Sequence, residues 1–453
     1  MEFKQIKYHK FPLLLLFSCC ALYFSFAYDL VREDFIKLVS LYTALFFLSW
    51  KFFQLEKFNL KMLFWSGIVF RLLFLFALPN LSQDFYRFIW DGKLLLHDFN
   101  PYLSTPEELI SSGKPLFEGA RKLYDGMGVL SAGNHSNYPP INQFIFALSG
   151  FFSQNSLLGA VIFLRLIIIA ADIGIFYFGR KLLKSLKLPE NRIFWYFLSP
   201  FIIIELTGNL HFEGVMILFI ISSLYMLQRQ KWLFSAALLA CAVSVKLIPL
   251  LFLPLFFRRL GFKNAIGYYL IVAAINITLF LPFLSPELLS NYLQTVGLWF
   301  QKFEFNASIY YLIRWVGYQV EGYNILVYTG KPLAAAVFLS IVGMAFFRRN
   351  KSTAGLITTM LFGITVYYAL ATTVHPWYVA VPAILCIFTN YRFPLLWSLL
   401  VVLSYAAYSN DAYRENLWLI AVEYLIIYAV MGYEIYRNEW KPNRKIEAAE
   451  FPK

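Results

Sequence analysis

The sequence is short of charge, short of cysteine and without any common nucleotide-binding loop. Only 14% of its 453 residues are Asp, Glu, Lys or Arg, against about 25% in a soluble globular chain. So little charge cannot cover a water-facing surface, which excludes a soluble enzyme and a disordered hub. The four cysteines, Cys19, Cys20, Cys241 and Cys386, lie inside apolar runs. A disulfide framework and a paired-cysteine metal site are therefore not expected. There is no Walker A loop, Gly-rich dinucleotide turn, His-Glu-x-x-His or Gly-x-Ser-x-Gly, so the usual phosphate-cradle, zinc-protease and serine-hydrolase readings fall away. Internal repeats and low-complexity tracts are also missing.

What is present is apolar: 60% of the residues are hydrophobic and 20% aromatic. Runs of span length occur at about 11–27, 35–53, 61–79, 156–178, 265–283, 354–373 and 417–436, with shorter ones near 193–206, 213–227, 331–347, 376–390 and 393–409. Backbone amides in lipid must be satisfied within the segment, so these runs predict helices. The expected fold is all-α: a polytopic membrane helix bundle of about 12–14 membrane segments, forming one domain over 1–453.

The formal net charge is +13. The basic residues sit in short loops, as positive-inside bias requires, and form no stripe for nucleic acid. The clusters are Lys4, Lys7 and Lys10; Lys51, Lys57 and Lys61; Arg180 to Arg192; Arg229 and Lys231; Arg258, Arg259 and Lys263; Arg348, Arg349 and Lys351; and Arg437, Lys441, Arg444 and Lys445. All are assigned to the cytoplasm. Residues 1–27 read as an uncleaved first span, both termini as cytoplasmic, and 437–453 as a tail. Two features keep the bookkeeping consistent. Residues 141–153 are too short to span and read as an interfacial helix. Residues 232–257, basic at both ends and broken by Pro249, read as a hairpin turning near Lys246.

Three extracytoplasmic segments carry polar residues that a plain loop does not need. The largest lies within 80–155. It opens with Asp84, Arg87 and Asp91, which share one face of a helix opposite Phe85, Phe88 and Ile89, with Gly92 as a local conflict. This predicts an amphipathic helix in the interface plane. Asp84 falls in the first turn, where the helix dipole favours the ionised carboxylate. It can then be a proton acceptor or merely a cap, with Arg87 and Asp91 a surface pair. Asn100-Pro101-Tyr102 and Asn137-Tyr138-Pro139-Pro140 punctuate the loop, and His135 reads as a loop histidine. The second segment holds Glu205, His211 and Glu213, whose spacing matches no metal-ligand set. The third is His375-Pro376-Trp377-Tyr378, suited to a sugar ring beside an anionic group or simply to an aromatic belt. Lys246 and Arg314 are cations able to meet a lipid phosphate. Arg165 and Asp172, seven apart in one span, are assigned to helix packing.

These pieces occur in a recognisable order. Asp84 to Gly92, Asn100-Pro101-Tyr102, Tyr138-Pro139-Pro140, Gly208 to Glu213, Val245 to Pro249, Phe305 to Leu312 and His375 to Tyr378 span roughly two-thirds of the chain. The set resembles the GT-C superfamily of polytopic glycosyltransferases, above all the bacterial mannosyltransferases that depend on polyprenyl-phosphate-mannose. A more distant likeness is to the catalytic subunit of GPI mannosyltransferase I. The resemblance implies a first external loop with two interfacial helices, and a base at the position of Asp84. It further implies a polyprenyl-phosphate-sugar donor, a membrane glycan or glycolipid acceptor, an inner-membrane location with an extracytoplasmic site, and no cofactor or metal. Arg87, Asp91, Tyr138, Glu205, His211, Glu213, Lys246, Arg314, His375, Trp377 and Tyr378 are the expected substrate-binding set. A lipid-linked saccharide transporter and an O-antigen-type polymerase or ligase are the alternatives. A transporter predicts charges near the bilayer midplane and an internal repeat. One departure is that three spans precede the loop where family members often have one.

Overall fold

A lipid-facing backbone can satisfy its polar groups only by coiling on itself, and this one does. The computed structural model describes residues 10–301, 303–410 and 412–440. Lys4 and Lys7, and most of the expected tail, including Lys441, Arg444 and Lys445, lie outside them. Among the described residues everything regular is helical, apart from one isolated bridge between Phe305 and Thr373.

Among the described residues, seven helical stretches are long and apolar enough to cross a membrane: Lys10–Tyr28, Phe35–Glu56, Leu157–Ser185, Ile248–Phe283, Leu326–Phe347, Thr353–Leu370 and Leu417–Glu439. Pro200–Gly208 and Glu213–Gln228 meet at a 116° bend and return the chain to the end it came from, where Gln228 donates to the Ser185 carbonyl at 3.4 Å. Trp232–Val245, Pro376–Cys386 and Phe393–Ser409 are shorter apolar helices. The expected count of about 12–14 segments is approached only by including these bent and short pieces. The run expected at 61–79 is a helix only over Leu60–Leu72, 13 residues.

The stretch Ile248–Phe283 is too long for one crossing of a roughly 30 Å hydrocarbon core at about 1.5 Å per residue. It reverses at Gly261, whose φ of +73° interrupts the helix. Tyr268 Oη lies 3.1 Å from Ser235 Oγ, and Asn276 Nδ2 donates to the Ala240 carbonyl at 3.3 Å. Residues 262–280 therefore run parallel to Trp232–Val245. Two parallel helices in sequence need a returning segment, and 248–260 is that segment. The hairpin expected over 232–257 is present, with its tip at the extended Lys246.

The basic turns meet at one end. Arg258 and Arg259 donate to the carbonyls of Arg348 and Lys351, Arg348 pairs with Glu439 at 3.6 Å, Tyr391 donates to Glu439, and Arg192 donates to the Thr389 carbonyl. The Lys246 tip is at the other end, with the loop that follows Leu81.

Between the ends, the bent helix pair is held by buried charge. Arg165 donates to the carbonyls of Leu75, Ala77, Thr207 and Gly208, at 2.7–3.0 Å. These are carbonyls that unwinding leaves without helical partners. Arg71 and Asp172 form a fully buried pair at 2.7 Å. The assignment of Arg165 and Asp172 to packing is met through different partners, not through each other.

Candidate active site

Gly92 is what lets the outer layer form. Helix Asp84–Leu96 crosses helix Pro140–Ser153 so closely that a Cβ at Gly92 would strike the Phe146 carbonyl. Phe88 and Phe146 stack beside the crossing, with centroids 4.7 Å apart. The conflict read from the sequence is thus a packing requirement. Tyr102 is buried and donates to the Tyr138 carbonyl at 2.6 Å. Asn100 donates to the Phe283 carbonyl, and Tyr292 to that of Asn137. The two proline motifs staple the loop to the helix that follows residue 283.

Beyond the half-exposed Asp84, the polar face of Asp84–Leu96 is buried, where an interface-plane helix would keep it in water. Arg87 and Asp91 are buried and pair at 2.7 Å. Arg87 also donates to the carbonyls of Ser131 and Asn134. Asp91 accepts from Ser136 Oγ at 2.5 Å and Gln143 Nε2 at 3.1 Å. This network clamps the 131–136 turn against the helix. It places Asp91 behind the wall, where it orders Arg87 and does not face the cavity.

The wall encloses a cavity of about 600 Å³. Asp84 stands on it, and its carboxylate makes no hydrogen bond or ion pair among the described residues. Burial pushes its pKa up to about 6; the positive charges of Lys246 and Arg32 oppose the rise and Glu213 adds to it. The expected dipole effect is therefore outweighed by desolvation, yet the group is still mostly ionised at neutral pH. Lys246 forms an ion pair with the buried Glu213 and lies 5.8 Å over the Tyr378 ring.

Trp377 is the centre of an aromatic stack. His211 lies 3.7 Å from it on one side and His375 4.6 Å on the other, with Phe305 5.3 Å beyond His375. Burial and Lys246 push His375 down to about 3, so it is neutral. Behind this stack Glu205 accepts the Tyr405 hydroxyl, which lies 2.9 and 3.1 Å from its two oxygens, and lies 3.9 Å from His211 Nε2.

Of the expected residues, Asp84, Arg87, Tyr138, Lys246, His375, Trp377 and Tyr378 line the cavity. Asp91, Glu205, His211 and Glu213 form the layer behind it. Arg314 is elsewhere, paired with Glu304 at 2.9 Å. It is not among the lining residues, so the pairing with a lipid phosphate expected of it has no basis in its position. His135, read as a loop residue, lines the cavity, as do Arg32, Tyr367, Tyr408 and Tyr413. Arg32 carried a usable signal: it sits in a short turn on the side that positive-inside bias leaves poor in Arg. The tyrosines carried none, because a membrane-interface belt explains them equally well.

Bent and straight apolar helices around a cavity whose mostly apolar wall carries ionised groups define a multi-pass membrane protein whose site can accommodate an amphiphilic substrate. The chain belongs to the family described as alpha-(1->6)-mannopyranosyltransferase, N-terminal domain, whose model matches residues 26–259, just over half of it. A second family model, described as ALG3 protein, matches residues 206–321. The chain is 25% identical over 195 residues to the alpha-(1->6)-mannopyranosyltransferase A of Corynebacterium glutamicum. That match covers 43% of this chain and 38% of the relative, so the chain spans well under two thirds of the curated protein it matches. No solved structure matches.

Proposed function

We propose that the chain is a membrane-embedded mannosyltransferase. It moves mannose from a polyprenyl-phosphate carrier to a membrane-associated glycan or lipid acceptor, at the extracytoplasmic face, with inversion. The observation that carries this reading is Asp84: a carboxylate on the cavity wall, without a hydrogen-bond or ion-pair partner among the described residues, with its pKa raised to about 6. Such a group is ionised at pH 7 and more basic than an ordinary aspartate, as a general base must be. It takes the proton of an acceptor hydroxyl while that oxygen attacks C1 of the sugar. The C1–O bond to phosphate breaks, and polyprenyl phosphate leaves with the electron pair. A β-linked carrier sugar then yields an α-linkage.

Two features support single displacement. A retaining route needs a second, free carboxylate as nucleophile, about 5–5.5 Å from the first in retaining glycosidases. Asp91 is engaged by three donors and Glu205 by Tyr405, so neither is available. The gathering of basic turns at the opposite end supports an outward-facing cavity. The neutral His375 and the Trp377 ring offer a flat, weakly polar wall for a sugar.

The test supplies purified protein with polyprenyl-phosphate-mannose and a membrane glycan extract. Wild-type protein should transfer mannose, and a product that keeps the donor's anomeric configuration would overturn the mechanism.

A further inference from the structure

Three cations line the cavity among the described residues, and two of them are already neutralised. Arg87 is paired with Asp91 and Lys246 with Glu213. Arg32 has no carboxylate within ion-pair distance among the described residues. Its guanidinium lies 4.1 Å over the Tyr408 ring, its Nη1 donates to the Leu81 carbonyl at 3.4 Å, and its Nε is buried with no hydrogen-bond partner. The neighbouring acids do not relieve it. Asp29 is taken by Lys37 at 2.6 Å, and Asp34 caps the next helix through the Lys37 amide. Glu33 is exposed and makes no ion pair with it.

The turn that carries Arg32 is fixed in place. It joins Lys10–Tyr28 to Phe35–Glu56, and Asn80 Nδ2 ties it down through the carbonyls of Phe26 and Leu30, at 2.7 and 3.1 Å. Asp84 and Arg32 thus face one cavity with opposite charges, neither with an ionic partner among the described residues and not bonded to each other. A partly buried, uncompensated charge at the head of membrane helices is costly unless something pairs with it.

We infer that Arg32 is the anion-binding residue of this cavity, and that the anion is the phosphate ester of a lipid carrier. This deepens the reading of the cavity as a lipid-phosphate-sugar transfer site and rests on it. Asp84 would take the proton that the acceptor loses, and Arg32 would take the charge that the leaving phosphate gains. A planar guanidinium suits two phosphate oxygens at once, and stacking on Tyr408 fixes its plane. The N-terminal helix pair, which the family likeness left as a surplus, then supplies part of the site.

The test uses the full chain in detergent and three probes in calorimetry: citronellyl phosphate, citronellol and inorganic phosphate. Wild-type protein should bind citronellyl phosphate, and Arg32→Gln should weaken that binding about 10- to 100-fold, the range of a charge-assisted hydrogen bond. Arg314→Gln, at the cation outside the cavity, should leave it unchanged. Citronellol should bind more weakly than citronellyl phosphate and be indifferent to Arg32. Undiminished binding of citronellyl phosphate by Arg32→Gln overturns the assignment. Inorganic phosphate bound as tightly, and as dependently on Arg32, overturns the lipid part in favour of a free-phosphate site. If Arg32→Gln does not fold, Arg32→Lys serves, because it removes the stacked fork: a loss of about three- to tenfold supports the assignment and none overturns it. Arg32-dependent binding without any mannose transfer would keep the anion site and sink the proposed function. Transfer that depends on Asp84 but not on Arg32 would do the reverse.

Discussion

Asp172 and Asp84 make an instructive pair. Asp172, deep between the helices, accepts from Arg71 at 2.7 Å, Tyr196 at 3.4 Å and Thr207 at 3.5 Å. Asp84, at the cavity, accepts from nothing among the described residues. The same contrast separates Arg165, which uses four carbonyls, from Arg32, whose Nε has no partner. In a low-dielectric bundle each unsatisfied charge costs free energy, so satisfaction marks a residue that holds the fold. Its absence, at a cavity wall, marks a residue kept for a substrate.

The sharpest way to break this contrast is to measure stability. Asp172→Ala strands the Arg71 charge and should cost about 3–5 kcal/mol, read as a large drop in the thermal midpoint of the detergent-solubilised protein. Asp84→Asn should leave that midpoint unchanged or raise it, because it removes an uncompensated charge. Equal losses from the two changes would erase the distinction.

Gly92→Ala comes next. The added methyl meets the Phe146 carbonyl, so the two outer-loop helices must move apart. Overpacking of this kind typically costs about 1–3 kcal/mol. Transfer should fall along with the midpoint, because Asp84 shares the displaced helix. An unaffected variant would mean that the two helices can separate at this crossing without loss.

The pH profile sharpens the contrast further. The active form of Asp84 is the ionised one and its pKa is raised to about 6. The transfer rate at limiting substrate should therefore rise about tenfold per pH unit well below 6 and level off above it. Arg32→Gln removes a charge that lowers this pKa, so the bend should move to higher pH. A bend near the ordinary carboxylate range would contradict the desolvation of Asp84 at the cavity wall.

Much of the architecture was legible in the sequence. Apolar runs gave most of the helices, and the doubly basic flanks of 232–257 gave the hairpin. The ordered motifs led to Asp84, Tyr138, Lys246 and the His375–Tyr378 wall. What stayed hidden shares one cause, namely tertiary partners contributed by distant segments. Nothing near Glu213 in the chain shows that it neutralises Lys246. The i, i+4 spacing of Arg87 and Asp91 reads equally well as a surface pair, until Ser136 and Gln143 are seen to close over it. Arg314 has the same charge as Arg32, and only the fold shows which of them reaches the cavity.

The most direct measurement is single-turnover transfer of labelled mannose from polyprenyl-phosphate-mannose, comparing wild type with Asp84→Asn at saturating acceptor and equal thermal midpoint. Loss of a general base should slow the chemical step by about 10²–10⁴-fold while donor binding persists. An Asp84→Asn protein that turns over as fast as wild type would contradict the central claim.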